Sequence, residues 1–205
     1  MSEVIASVKD NQEKYETYRA QVGRYNLAMK HGFYLEALLI DYAVLEDRLS
    51  AFLWAAGVLS NQDSAKLGCP KNRTELQQIY TDYSGNEAAP KLKNISGKIE
   101  MVSALLAFAE AEYEGENRYL LALHEGLLML NREELSEALC GLDTWRGYRN
   151  EVIHAAMNKN VYSLHEHLAE NAALCMEYAR VIDNASKKLK RRTKIRKSVS
   201  MPMTK

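Results

Sequence analysis

The sequence predicts an all-α protein, a five- to six-helix up-and-down bundle, on the strength of three observations. Only three prolines and ten glycines fall in 205 residues, so long stretches are free of helix breakers. Ala, Leu, Glu, Lys and Met, which lose little on entering a helix, dominate those stretches. Apolar side chains recur at helical spacing, and no segment supplies a strand pattern.

A polar first helix is expected through about Lys30. The second follows over Phe33 to Ala56, where Leu35, Leu38, Leu39, Tyr42, Leu45, Leu49, Phe52 and Leu53 recur at helical spacing and Gly57 ends the run. Ser60 to Pro90 holds Gly68, Pro70, Gly85 and Pro90 around a short helical piece near Thr74 to Tyr83, an irregular excursion suited to a lid or an insertion. A third helix is expected over Ile95 to Tyr113, and a fourth over Asn117 to Leu130 beyond Gly115. Asn131 with Glu134 three residues on has the form of a capping box, and opens a long helix carrying Leu135, Leu139, Leu142, Trp145, Val152 and Ile153. Asn158 and Asn160 break its periodicity. Ser163 and Glu166 offer another box, and the last helix is expected to end at about Lys188.

One domain is expected, residues 1–186, followed by a basic, flexible tail over residues 187–205. The zero formal net charge conceals this asymmetry: nine of the 27 basic side chains fall in the tail without an acid, leaving 18 against 27 acids before it, a formal net of −9. Two readings of the tail stand, contact with RNA or DNA phosphates and a solubilising extension. No apolar run is long enough for a membrane span, and the N-terminus lacks the apolar block of a signal peptide, so a cytoplasmic protein without a membrane partner is expected. Cys69, Cys140 and Cys175 are widely spaced with no CxxC, as expected of reduced thiols.

Chemistry concentrates in Arg146-Gly147-Tyr148-Arg149-Asn150-Glu151-Val152-Ile153-His154 on the long helix. At about 100° per residue, Arg146, Asn150 and His154 share one stripe, Arg149 reaches back along its flexible stem, and Asp143 falls in the same sector. These are the parts of a ribonuclease that needs no metal. Cleavage uses the substrate's 2′-hydroxyl as nucleophile, and an imidazole, here His154, accepts or returns the proton. Arg149 would bind the phosphate and stabilise its transition-state charge, and Asn150 would orient His154 or a phosphate oxygen. One histidine cannot serve as base and acid at once, so two motifs facing across a two-fold axis, a homodimer, would complete the site. Against these roles stand structural ones: a half-buried helix histidine for His154, a salt bridge to a neighbouring helix for Arg149, and a helical ion pair for Asp143 with Arg146.

Arg149-Asn150-Glu151-Val152-Ile153-His154 resembles the R-polar-x3-H hallmark of HEPN domains, the nucleotide-binding α-helical bundles of higher eukaryotes and prokaryotes. The match covers six residues, together with the placing of an early amphipathic helix with Tyr42 and Glu46 and a motif on a late helix. The resemblance implies a metal-independent endoribonuclease of a toxin-antitoxin or phage-defence system, acting on RNA as a homodimer, with an antitoxin or regulatory protein as a further partner. It also implies a role for Asp143, because some relatives carry an acid six positions before the arginine. Ala156 stands where a nucleotidyltransferase-controlled subgroup has tyrosine, so AMPylation there is not implied. Arg24 with His31 and Arg118 with His124 fit a looser spacing, but tyrosine replaces the polar residue after each arginine.

Elsewhere the chain is less informative. His165-Glu166-His167 cannot easily ligate one ion from a helix, since residues two apart point about 200° from each other. Tyr15, Tyr18 and Tyr25 are expected as a packing stripe or dimer contact. No Walker loop, GxGxxG, GxSxG or HExxH is present, and no cofactor or metal is expected. The competing function is a non-catalytic helical module that binds a partner protein or a nucleotide.

Overall fold

The computed structural model describes residues 11–60, 67–68, 72–156, 158 and 167–200. Among them the chain is all-helical: α1 (Asn11–His31), α2 (Tyr34–Ala55), α3 (Arg73–Ser84), α4 (Ile95–Phe108), α5 (Arg118–Leu128), α6 (Arg132–Ala155), α7 (Leu168–Arg191) and α8 (Thr193–Ser200). These eight helices exceed the expected five or six because the short piece in the excursion is the full helix α3 and the basic segment supplies α8. No helix among the described residues is long and apolar enough to cross a membrane.

The core forms around α2, where Leu38, Leu45, Leu49, Phe52 and Leu53 are fully buried. Burying each such side chain contributes about 1.5–3 kcal/mol. α2 packs most extensively on α7 and also meets α1 and α4, while α6 lies against α7 and α4, and α3 against α4. Gly57 ends α2 in the left-handed conformation, at φ 78°. A Cβ there would stand 2.7 Å from Val199 Cγ2 and 2.8 Å from Tyr119 Cε2, so space as well as backbone demands glycine.

One boundary and one cap differ from expectation. α4 stops at Phe108 rather than Tyr113, because Glu110, Glu112, Glu114 and Glu116 crowd negative charge where the partial charge of a helix C-terminus is already negative. Phe108, Tyr113 and His124 instead form an aromatic cluster, with Tyr113 and His124 each 5.4 Å from Phe108, and a His124 ring nitrogen lies 2.8 Å from the Ala111 carbonyl. The Asn131 capping box does not close, since the Asn131 amide donates to Glu134 at 2.9 Å and no side-chain oxygen receives a backbone N–H. Asn117 does cap α5, accepting from Tyr119 N and Leu120 N. The second box, Ser163 and Glu166, lies outside the described residues, as do Cys69, Asn160 and His165. Of the other cysteines, Cys140 is exposed, Cys175 is buried, and both are free.

The basic segment departs most from expectation, since it is helical as far as Ser200 and packs through Ile195, Arg196 and Val199. Ile195 is fully buried against α5, where Gly126 lets the two helices approach. Arg196 lies over the Trp54 ring at 4.6 Å and donates to the carbonyls of Trp54 at 3.3 Å and Leu59 at 3.0 Å. A guanidinium on the Trp54 carbonyl, in the last turn of α2, complements that end of the helix dipole. A tail boundary at residue 186 therefore has no structural counterpart, and residues beyond 200 lie outside the described set.

Candidate functional site

α6 is oriented by its apolar face. Leu142, Trp145 and Val152 are buried, and the Trp145 indole N–H donates to the Asn171 carbonyl of α7 at 3.0 Å. That anchoring turns Asp143, Arg146, Asn150 and His154 outward, with Asp143 and His154 exposed and the other two half-buried. A polar stripe thus runs along a helix whose opposite side is core.

Within the stripe the side chains pair unevenly. Arg146 donates to Asp143 through Nε at 3.1 Å and Nη2 at 2.9 Å, the helical ion pair that the spacing permits. Arg149 points toward α2, with its guanidinium carbon 4.4 Å above the Tyr42 ring, and one Nη1 hydrogen goes to the Asn150 side-chain oxygen at 3.1 Å. Its Nε is buried and has no hydrogen-bond partner. No carboxylate among the described residues forms an ion pair with Arg149. Glu46, one turn beyond Tyr42, pairs instead with Lys98 at 2.9 Å. Arg149 is therefore a positive charge with its plane set by an aromatic ring, its edge held by an amide and no acid among the described residues to neutralise it.

His154 lies one turn from Asn150, exposed, and forms no hydrogen bond or ion pair among the described residues. The structure brings Arg149 and Asn150 together and joins Arg146 to Asp143, while His154 stands apart from both pairs. Asn150 thus holds Arg149 rather than the imidazole. The ring of Tyr42 under Arg149 is the component that spacing along α6 does not reveal. Its only signal was a tyrosine in a stripe of leucines on α2.

Metal-ligand clusters of three or more His, Cys, Asp or Glu side chains are not found among the described residues. His167 stands 3.7 Å from Glu170 at the start of α7. A second unusual group lies on α2, where the Asp41 carboxyl is fully buried and both its oxygens lack a hydrogen-bond partner. Burial pushes this carboxyl up from an ordinary 3.8 to about 8. Asp41 also acts on Tyr25 of α1 and Cys175 of α7, each raised by burial first and by Asp41 next. No family model matches the chain, and neither a curated protein nor a solved structure does.

Proposed function

We propose that the protein is a metal-independent HEPN-type endoribonuclease that cleaves RNA with Arg149, Asn150 and His154 from two copies of the chain, in a toxin-antitoxin or phage-defence setting. The observation that carries this reading is the half-buried Arg149 guanidinium, stacked on Tyr42 and held by Asn150 with no acid among the described residues to neutralise it. A structural arginine in that position would pair with a carboxylate, because leaving a partly desolvated charge uncompensated costs stability. Such a cost is understandable where an anion is to be received, and a phosphodiester has the charge and the geometry for paired N–H donors.

In the proposed reaction, His154 of one copy takes the proton from a ribose 2′-hydroxyl. The freed oxygen attacks the adjacent phosphorus, the bond to the 5′-oxygen breaks, and His154 of the second copy returns a proton to that leaving oxygen. The products are a 2′,3′-cyclic phosphate and a 5′-hydroxyl, and Arg149 stabilises the phosphorane charge between them. Exposure of His154 suits it to meet RNA and a second copy together. Leu35 and Leu39, 36% and 47% exposed, continue the Tyr42 stripe of α2 beside Arg149 and provide an apolar surface for that second copy.

RNA cleavage in excess EDTA tests the reading. His154→Ala and Arg149→Ala are each expected to lower the rate about 100-fold or more with the fold retained by circular dichroism. Arg149→Lys should recover little, since an ammonium cannot reproduce the planar fork over Tyr42. Undiminished cleavage by His154→Ala would remove it from the mechanism, and an inactive wild-type dimer would favour a binding module. The double change Leu35→Glu with Leu39→Glu is expected to give monomers in sedimentation and to lose cleavage in parallel. Full activity in a proven monomer would overturn the two-copy site.

A further inference from the structure

A second site lies on the opposite face of α2. Asp47, Arg48, Ala51 and Trp54 point away from Tyr42, on average close to half a helical turn round, and form the floor of a groove. Lys14, Tyr15 and Tyr18 of α1 close one side, and Asp183, Lys187 and Lys190 of α7 close the other. Spacings of three and four residues on all three helices place these side chains on facing stripes.

The groove combines aromatic rings, carboxylates and excess positive charge. Tyr15 is 60% exposed at its rim, Arg48 lies over the Tyr18 ring at 4.1 Å, and the Lys190 ammonium stands 5.7 Å from the Trp54 ring. Asp47 is met by Lys14 at 2.7 Å and Arg48 at 3.5 Å, while Asp183 is met by Arg48 at 3.3 Å and Lys187 at 2.6 Å. Two acids thus face four cations, and Lys190 has no carboxylate of its own among the described residues. The space is about 260 Å³. Pockets that enclose drug-sized molecules occupy roughly 300–1,000 Å³, so a single planar group fits better than a folded ligand.

We propose that this groove binds one nucleotide unit, either of single-stranded RNA or of a free nucleotide, at a site separate from Arg149 and His154. The base stacks at the tyrosine rim, its amino groups donate to Asp47 or Asp183, and its phosphate meets Lys190. An acidic peptide would bring carboxylates against Asp47 and Asp183 and has no use for the rings. A duplex keeps its base faces stacked on one another. Beyond Lys190 in the sequence, Arg191, Arg192 and Lys194 are exposed and extend the run of positive charge.

The chain carries its own reporter, since of its two tryptophans Trp145 is buried and Trp54 lines the groove. The titration uses the full chain with His154→Ala and a ten-nucleotide strand with 2′-deoxy sugars in parallel, so that one ligand stays intact whichever reading of the catalytic site holds. A ten-nucleotide adenosine-uridine RNA is expected to quench tryptophan fluorescence, with the response lost in Trp54→Phe. Tyr15→Ala and Lys190→Glu, both at exposed positions, should each weaken binding about tenfold. AMP run in parallel separates the sources: equal affinity with the same dependence assigns a free nucleotide, and RNA about tenfold tighter assigns a strand. No quenching by either, quenching that ignores both substitutions, or equal competition by polyglutamate would overturn the proposal.

Discussion

Substituting Asp41 with asparagine is expected to stabilise the protein by an amount that grows with pH. The Asp41 carboxyl is buried among the helices of the core without a hydrogen-bond partner, and its folded-state value of about 8 lies far above an ordinary carboxylate. The folded chain therefore keeps a proton that the unfolded chain releases above about pH 4. Because the folded state binds more protons across that interval, stability at this group is fully present at low pH and is lost as pH rises toward 8. The slope is about 1.4 kcal/mol per pH unit, so between pH 5 and pH 8 wild type loses up to about 4 kcal/mol relative to the asparagine variant. Tyr25 and Cys175 stay protonated over that window, being raised themselves, and leave Asp41 as the member of the trio that titrates there. Urea unfolding of both proteins at pH 5 and pH 8 measures the difference directly. A difference that stays constant or shrinks with pH would mean that the carboxyl is not held neutral.

The second large effect is expected at Ile195 and Arg196, in a segment whose composition reads as a tail. Ile195→Ala removes a fully buried side chain from its contact with α5 and should cost about 2–4 kcal/mol. Arg196→Ala removes the donors to Trp54 and Leu59 at the end of α2 and should cost about 1–3 kcal/mol. The two sites are neighbours on α8, so the double variant need not equal the sum. Lys194→Ala, exposed in the same basic run, should change stability by less than about 0.5 kcal/mol. Thermal unfolding of these variants separates a packed helix from a solvated extension, for which all would behave like Lys194→Ala.

These two cases mark where local pattern stops being informative. α2 was legible because leucines at helical spacing have one physical solution, burial of that face, and Gly57 supplied its end. α8 was not, since Ile195 and Val199 are only two apolar residues among cations, and their burial depends on Gly126 and Gly57 elsewhere in the chain. Asp41 lies between Leu38 and Leu45 on the buried stripe, a position at which sequence alone cannot separate an internal acid from a rotated helix face. In the candidate site, the adjacency of Arg149 and Asn150 on one helix was readable. The Tyr42 platform was not, because cation-π stacking across two helices leaves no spacing signature. Likewise Tyr15, Tyr18 and Tyr25 formed one stripe on paper, whereas burial divides it into an exposed, a half-buried and a buried ring.

The grip of Arg196 on the end of α2 also sets an order of events during synthesis. Donor and acceptor are 142 residues apart. At about 5–20 residues per second, the carbonyl of Trp54 waits on the order of 10 s for the guanidinium that will hold it. α2 also waits for α7, its principal partner, which is made only shortly before Arg196. Until then the leucine face of α2 lacks its most extensive partner, so the nascent chain passes through a period in which that face is incompletely buried. Because the most extensive helix pairing, α2 with α7, joins segments far apart in the chain, folding should be slower than in a bundle of sequence-adjacent pairs.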